Sequence, residues 1–280
     1  MKVGVLGGGR MGAGIAHAFL LAGSDVAIVE RDSEATTTAT RRIQESLERS
    51  VQRGGTARSL DELTTALRAG TDAGLFADCD LVIEAVPEDR ALKSEALTRV
   101  ERALPAHAAL ASNTSSISID ALAASLTRPQ NFLGLHFFNP VPSSSLVEIV
   151  GGSATDPTLV DRARGWVETL DKTPIVVRDS PGFASSRLGL VLALEAIRML
   201  DAGVASAEDI DQAMELGYRH PMGPLRTTDV VGLDVRLAIA EELYATLGER
   251  FAPPALLRQM VADGRLGRKS GEGFYRWDRE

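Results

Sequence analysis

Apolar residues recur through the first 180 positions in short runs separated by stretches of helical spacing. Runs at residues 3–6, 26–29, 81–85, 109–112, 132–137, 147–150 and 175–177 have strand length, and the pattern predicts a strand at each. Between the first two runs, Met11, Ile15, Ala18 and Phe19 predict a helix with Gly23 as its C-terminal cap. A second helix is expected from Ser33 past Leu47 and Val51 to Gly54-Gly55, and residues 56–74 read as helical segments with weak periodicity. Strands alternating with helices imply an α/β fold, a Rossmann-like, doubly wound, mostly parallel sheet.

After Asp179-Ser180-Pro181-Gly182 the strand patterns stop and helical ones take over. This divides the chain into an α/β domain at 1–180 and an all-α C-terminal domain at 181–280. Residues 183–200 carry apolar side chains around most of a helix, which predicts burial on several sides and a subunit interface. Ser206-Ala207-Glu208-Asp209 reads as a helix start, and Pro221-Met222-Gly223-Pro224 as an interruption before a helix through Leu237 and Leu243. A short helix near 256–261 and a basic turn complete the pattern.

Composition narrows the class without naming it. The 280 residues are 44% apolar and 24% charged, ordinary for a globular protein able to bury a large core. A net charge of −8 disfavours nonspecific binding to nucleic acid or to an anionic membrane, both of which need a positive field. One cysteine, Cys79, cannot form an intrachain disulfide and suits a reducing compartment. The N-terminal apolar run is too short for a signal peptide or a membrane span, so a cytoplasmic location is expected.

Gly7-Gly8-Gly9-Arg10-Met11-Gly12 places glycine at the first, third and sixth positions of a turn that follows a strand and opens a helix. Gly7 permits the tight turn, Gly9 lets the backbone approach a pyrophosphate, and Gly12 lets the helix pack on the strand. Glu30 ends the second strand, where a carboxylate can bond both ribose hydroxyls and repel a 2′-phosphate, favouring NAD over NADP. Arg31 beside it could accept that phosphate, though an exposed arginine at a turn needs no ligand.

His136 closes an apolar strand among Phe137, Phe138 and Pro140, and Glu148 lies in the next run. A carboxylate bonded to one ring nitrogen fixes the tautomer that lets the other take a proton. Each residue also has a bland reading. The histidine could be structural, the glutamate an exposed strand residue, and Ser115 a helix cap.

Taken together, these and several further blocks resemble the short-chain L-3-hydroxyacyl-CoA dehydrogenase family, whose small members include 3-hydroxybutyryl-CoA dehydrogenases. The matching blocks are the glycine turn, Val82-Ile83-Glu84-Ala85, Ser112-Asn113-Thr114-Ser115-Ser116, His136 to Pro142, Leu146-Val147-Glu148, Asp179 to Phe183, Met222-Gly223-Pro224, Leu266 to Gly271, and Gly273-Phe274-Tyr275. The resemblance implies a homodimer through the helical domain that binds NAD and an acyl-CoA in the cleft between domains. It makes His136 the general base, Glu148 its orienting partner, and Ser115 a donor to the substrate oxygen beside the nicotinamide. It sets Gly7, Gly9, Arg10, Met11, Gly12, Glu30, Glu88, Lys93 and Lys269 around NAD, with ordinary solvated lysines as the alternative for Lys93 and Lys269. Ser46 and Arg53 would hold coenzyme A, and Asn139 the substrate.

Two departures from the family pattern bear on the substrate. Ser186 stands before Arg187-Leu188 where an asparagine is usual, and Ser143-Ser144-Ser145 replaces a segment that usually contains methionine and lysine. Shorter, more polar side chains suggest an acyl group with a polar end, such as 3-hydroxyadipyl. Rival readings are a dehydrogenase of the same scaffold for a carrier-bound hydroxyacyl group, a sugar acid or carnitine, and a noncatalytic NAD-binding protein.

Overall fold

Strands form where apolar runs are bounded by turn residues, and helices fill the intervals. In chain order, a computed structural model, which describes residues 1–278, begins β1 (Lys2–Leu6), α1 (Arg10–Leu21), β2 (Asp25–Val29), α2 (Ser33–Gln52), α3 (Leu60–Thr65), β3 (Leu67–Gly70) and β4 (Leu81–Glu84). It continues α4 (Arg90–Ala103), β5 (Ala109–Ser112), α5 (Ile119–Ala123), β6 (Phe132–Phe137), β7 (Leu146–Gly151), α6 (Pro157–Thr169) and β8 (Thr173–Arg178). The strands make one sheet in the order β3-β2-β1-β4-β5-β6-β7-β8. Only the β6–β7 pairing is antiparallel.

Strands β4, β5 and β6 are buried at every position because helices cover both faces, which is why they read as continuous apolar runs. Gly23 follows α1 with φ of +86°, as expected of a glycine just past a helix end. Residues 56–74 meet the helical expectation at α3 and depart from it at Leu67–Gly70. Leu67–Gly70 pairs with β2 as an edge strand, and its short, half-exposed sequence carries no alternation to reveal it. The 81–85 run ends as a strand at Glu84.

Contacts divide the chain into Met1–Ser180 and Pro181–Glu280. The second unit holds α7 (Ser185–Asp201), α8 (Ala207–Tyr218), α9 (Pro224–Val231), α10 (Leu233–Leu247) and α11 (Ala255–Ala262), around a core that includes Leu190, Leu194, Ile197, Leu225 and Phe251. Ser206 caps α8 by accepting from the Asp209 N–H. Within the single chain, Leu190, Ala193, Leu194, Ala196 and Ile197 of α7 face the core, whereas Leu188 is 66% exposed and Val191 and Leu192 are also exposed. Buried Asp229 secures the C-terminal segment by accepting from the N–H groups of Phe274 and Tyr275 and from Trp277 Nε1. That approach needs Gly273, since a Cβ there would meet Asp229 Oδ1 at 2.1 Å. Among the described residues no helix is long and apolar enough to cross a membrane.

Candidate active site

Strand β1 lies between β2 and β4, so the chain leaves it in one direction and returns on its other side. Crevices at such switch points, outside the carboxyl ends of parallel strands, are where open α/β sheets take ligands. Gly7 turns the chain there with φ of +94°, and a Cβ on Gly12 would lie 1.8 Å from the Gly7 carbonyl oxygen. A Cβ on Gly9, by contrast, would meet nothing within 4 Å. The first turn of α1 has no side-chain cap, leaving backbone donors beside that open space. Arg10 is exposed there, while Met11 packs on the core behind the turn.

Glu30 sits at the edge of this turn, its Oε1 accepting from the Gly8 N–H at 2.5 Å and its Oε2 from the Arg31 N–H at 3.1 Å. Arg31 points its guanidinium to Asp32 at 3.0 Å. Arg42, which the sequence reading missed, donates to the Gly8 carbonyl at 2.9 Å and lines a recess with Gly8, Gly9, Glu30 and Asp32. Open space at Gly9, uncapped donors and a carboxylate at the strand end fit the pyrophosphate and ribose of a dinucleotide.

Behind the turn runs a buried ionic chain. Glu84, fully buried at the end of β4, accepts from Ser112 Oγ at 2.6 Å, the Val86 N–H at 2.7 Å and Lys93 Nζ at 2.7 Å. Lys93 is 1% exposed and also reaches the Val86 carbonyl at 3.1 Å and Glu88 Oε2 at 3.3 Å. The solvated-lysine alternative is thereby excluded for Lys93.

Glu88 Oε1 then accepts from Thr114 Oγ1 at 2.6 Å and from the Ser115 N–H at 2.9 Å and hydroxyl at 3.2 Å. Burial would raise the Glu88 pKa, but Lys93 and these donors outweigh it and hold the carboxyl below its usual range. Ser115 is not the cap of the next helix, because Ser118 caps α5. The signal for Glu84 was present in the sequence as one charge closing a wholly apolar strand, and nothing local marked Lys93 as its partner.

The antiparallel β6–β7 pair sets His136 opposite Glu148. Nδ1 of His136 lies 2.7 Å from Glu148 Oε2, with Glu148 fully buried and His136 6% exposed. An ionised carboxylate only accepts, so where Glu148 is ionised the hydrogen of this contact belongs to Nδ1. The Phe138 ring stands 4.5 Å from the imidazole, centroid to centroid. Asn113 Oδ1 accepts from the Phe137 N–H at 2.8 Å, tying the loop that bears Ser115 to the strand that bears His136. Because β6 runs parallel to β1, β4 and β5, its carboxyl end lies on the same sheet edge as the glycine turn.

Ser46 lies on α2, and Arg53 at its C-terminal end, seven residues apart and so on one stripe of the helix. Asn139 is exposed and precedes a cis Pro140. Lys172, another residue the sequence reading missed, donates to the carbonyls of Val141 and Ser144 and so braces the serine-rich segment. In the helical unit, Ser186 lies half-buried in the first turn of α7, and Lys269 pairs with the Asp234 carboxylate.

Residues 2–180 match the family model of the 3-hydroxyacyl-CoA dehydrogenase NAD-binding domain, and residues 182–277 that of the C-terminal domain. The chain is 45% identical over 278 residues to a 3-hydroxybutyryl-CoA dehydrogenase of Mycobacterium tuberculosis, covering 98% of this chain and 97% of the relative. A probable 3-hydroxybutyryl-CoA dehydrogenase of Deinococcus radiodurans is 42% identical over 99% of this chain and all of its own. The crystal structure of (S)-3-hydroxybutyryl-CoA dehydrogenase from Ralstonia eutropha superposes with a TM-score of 0.94 at 38% identity, covering 99% of both chains. With both domain models matched in sequence order and relatives aligned end to end, the chain belongs to the 3-hydroxyacyl-CoA dehydrogenase family.

Proposed function

We propose that this protein oxidises the hydroxyl of an L-3-hydroxyacyl-CoA to the 3-oxoacyl-CoA, reversibly and with NAD, using His136 as general base. The observation that carries this reading is the buried His136–Glu148 contact of 2.7 Å at the sheet edge that holds the glycine turn. Glu148 holds the imidazole in one tautomer and stabilises the positive charge it gains on taking the hydroxyl proton at Nε2. Phe138 packs its ring against the imidazole and shields it from water. Ser115, anchored to Glu88, supplies a hydroxyl near the reacting oxygen. NAD, when bound, supplies the acceptor for the hydride that leaves C3.

The cofactor reading assigns the pyrophosphate to Gly7, Gly9, Arg10, Met11 and Gly12, the adenosine ribose to Glu30, and the nicotinamide side to Glu88, Lys93 and Ser115. Lys93 acts there by fixing Glu88, since its own charge is already taken up by two carboxylates. Ser46 and Arg53 are assigned to coenzyme A, Asn139 to the substrate, Ser186 to the catalytic set at the position of the family's asparagine, and Lys269 to the cofactor. A homodimer through the helical domain is supported by Leu188, Val191 and Leu192, apolar residues of α7 that stay exposed in the single chain.

The test is an NADH-coupled assay with acetoacetyl-CoA on the wild type and His136→Gln. Turnover is expected to fall by about 10²–10⁴-fold in the variant while NAD affinity, followed by fluorescence titration, stays near the wild-type value. An unchanged kcat overturns the assignment of the base.

A further inference from the structure

The recess beside the glycine turn holds more charge than a ribose needs. Its volume is about 260 Å³, and among the residues lining it are the acids Glu30, Asp32 and Glu34 and the arginines Arg31 and Arg42. By formal charge the acids outnumber the bases by one. Neutral ribose hydroxyls tolerate that balance, whereas a 2′-phosphate, carrying close to two negative charges at neutral pH, is repelled by it.

Both arginines are nonetheless placed as phosphate receptors are. Arg31 follows Glu30 at the end of β2, the place from which an arginine accommodates a 2′-phosphate. Arg42 reaches from α2 to the Gly8 carbonyl at 2.9 Å, a neutral acceptor that leaves its charge uncancelled. Arg31 differs in having Asp32 beside it, whose Oδ2 accepts from Arg31 Nε at 3.0 Å.

Asp32 also stands at the start of α2. Its Oδ1 accepts from the Ala35 N–H at 2.7 Å and so caps a helix of 20 residues. The Ala35 N–H and Arg31 together hold its carboxyl below the usual range, so at neutral pH it is an anion. Serine or asparagine would cap the helix as well, because the cap uses a single oxygen. The second oxygen and the charge are directed at Arg31. The pair is exposed at both ends and contributes little to stability. Its consequence lies in which anion Arg31 can meet.

We propose that Asp32 is a specificity-determining residue for the cofactor: by pairing with Arg31 and placing its own charge at the start of α2, it withholds from a 2′-phosphate the donors that would otherwise receive it. Exclusion of NADP is then shared between Glu30, assigned to the ribose hydroxyls, and Asp32, which occupies the neighbouring guanidinium. This inference rests on the NAD-dependent reading above and deepens it by naming what sets the choice between the two nicotinamide cofactors.

The experiment measures NADH and NADPH side by side on the full chain, by kcat/KM with acetoacetyl-CoA and by fluorescence titration of binding, which needs no turnover. The wild type should prefer NADH. Asp32→Asn keeps a capping oxygen and should raise the NADPH-to-NADH ratio by about tenfold in both measurements, mainly through KM and Kd for NADPH. Glu34→Gln removes a carboxylate from the same recess without freeing Arg31, and it should raise the ratio by less than about threefold. Asp32→Asn combined with Arg31→Met should lose the gain.

A ratio left unchanged by Asp32→Asn, raised equally by Glu34→Gln, or still raised in the double variant overturns the proposal. So does a wild type that binds both cofactors alike or neither. Should acetoacetyl-CoA go unreduced, the hydroxyacyl-CoA reading falls while the titrations still decide the role of Asp32. Should Asp32→Asn fail to fold, Asp32→Ser caps the helix without the charge and decides in its place.

Discussion

Lys93 and Arg236 are both buried cations, and the protein treats them in opposite ways. Lys93 has Glu84 at 2.7 Å, Glu88 at 3.3 Å and a backbone carbonyl at 3.1 Å. Arg236, 7% exposed, lies on the buried stripe of α10 with Leu233, Ala240 and Leu243. It has no such partner among the described residues, and its Nε is both buried and unbonded. The first arrangement is complete without a ligand and spends its charge on rigidity, fixing the loop that carries Thr114, Ser115 and Ser116. The second leaves a charge without a partner among the described residues, which costs stability.

Removing Lys93 gives the largest effect expected from this contrast. Lys93→Met leaves Glu84 fully buried without its cation, and stability should drop by about 3–5 kcal/mol in urea unfolding. A loss below about 1 kcal/mol would mean that the buried chain is not what holds the loop.

The same substitution at Arg236 should act with opposite sign. Arg236→Met replaces an unpaired buried charge by an apolar side chain in an apolar stripe, and it should raise stability by about 0.5–2 kcal/mol in the same measurement. Destabilisation instead would place an unrecognised partner at Arg236 and erase the contrast.

His17 gives the smallest effect and extends the comparison to a buried base. It is 2% exposed, with Nε2 2.9 Å from Ser50 Oγ. Burial lowers its pKa, and the nearby positive charges of Arg49 and Lys172 add to that against the opposing Ser46 backbone contact. The folded pKa lies below the unfolded one, so the unfolded state takes the proton first. This contribution to stability is complete above the ordinary histidine value of about 6.5 and is lost as pH falls through the folded value. Urea midpoints taken above and below that value should diverge more in the wild type than in His17→Gln. Equal divergence would show that other groups carry the acid sensitivity.

Much of the first unit was legible because its strands are buried on both faces and announce themselves as apolar runs. β3 was not, since Leu67–Gly70 is a half-exposed edge strand held by pairing with β2 rather than by any pattern of its own. His136 and Glu148 were found as candidates from residue type and strand position. Arg42 and Lys172 escaped notice because each acts on a backbone carbonyl far away in sequence, Gly8 for one and Val141 and Ser144 for the other. Arg236 was not singled out in the sequence, because nothing local marks a charge in a helix as lying on its buried stripe.

By itself the sequence determined the alternation of strand and helix, the glycine turn and the family, because periodicity and turn chemistry are local and survive without knowledge of packing. Tertiary structure alone decided which charges meet. Register in the antiparallel β6–β7 pair sets His136 across from Glu148, and the helix that follows β4 turns Lys93 inward onto Glu84. Packing of α10 against α7 buries Arg236 without a counter-ion among the described residues. A side chain's partners come from elements distant in the chain, and whether a charge is solvated, paired or left unpaired depends on them.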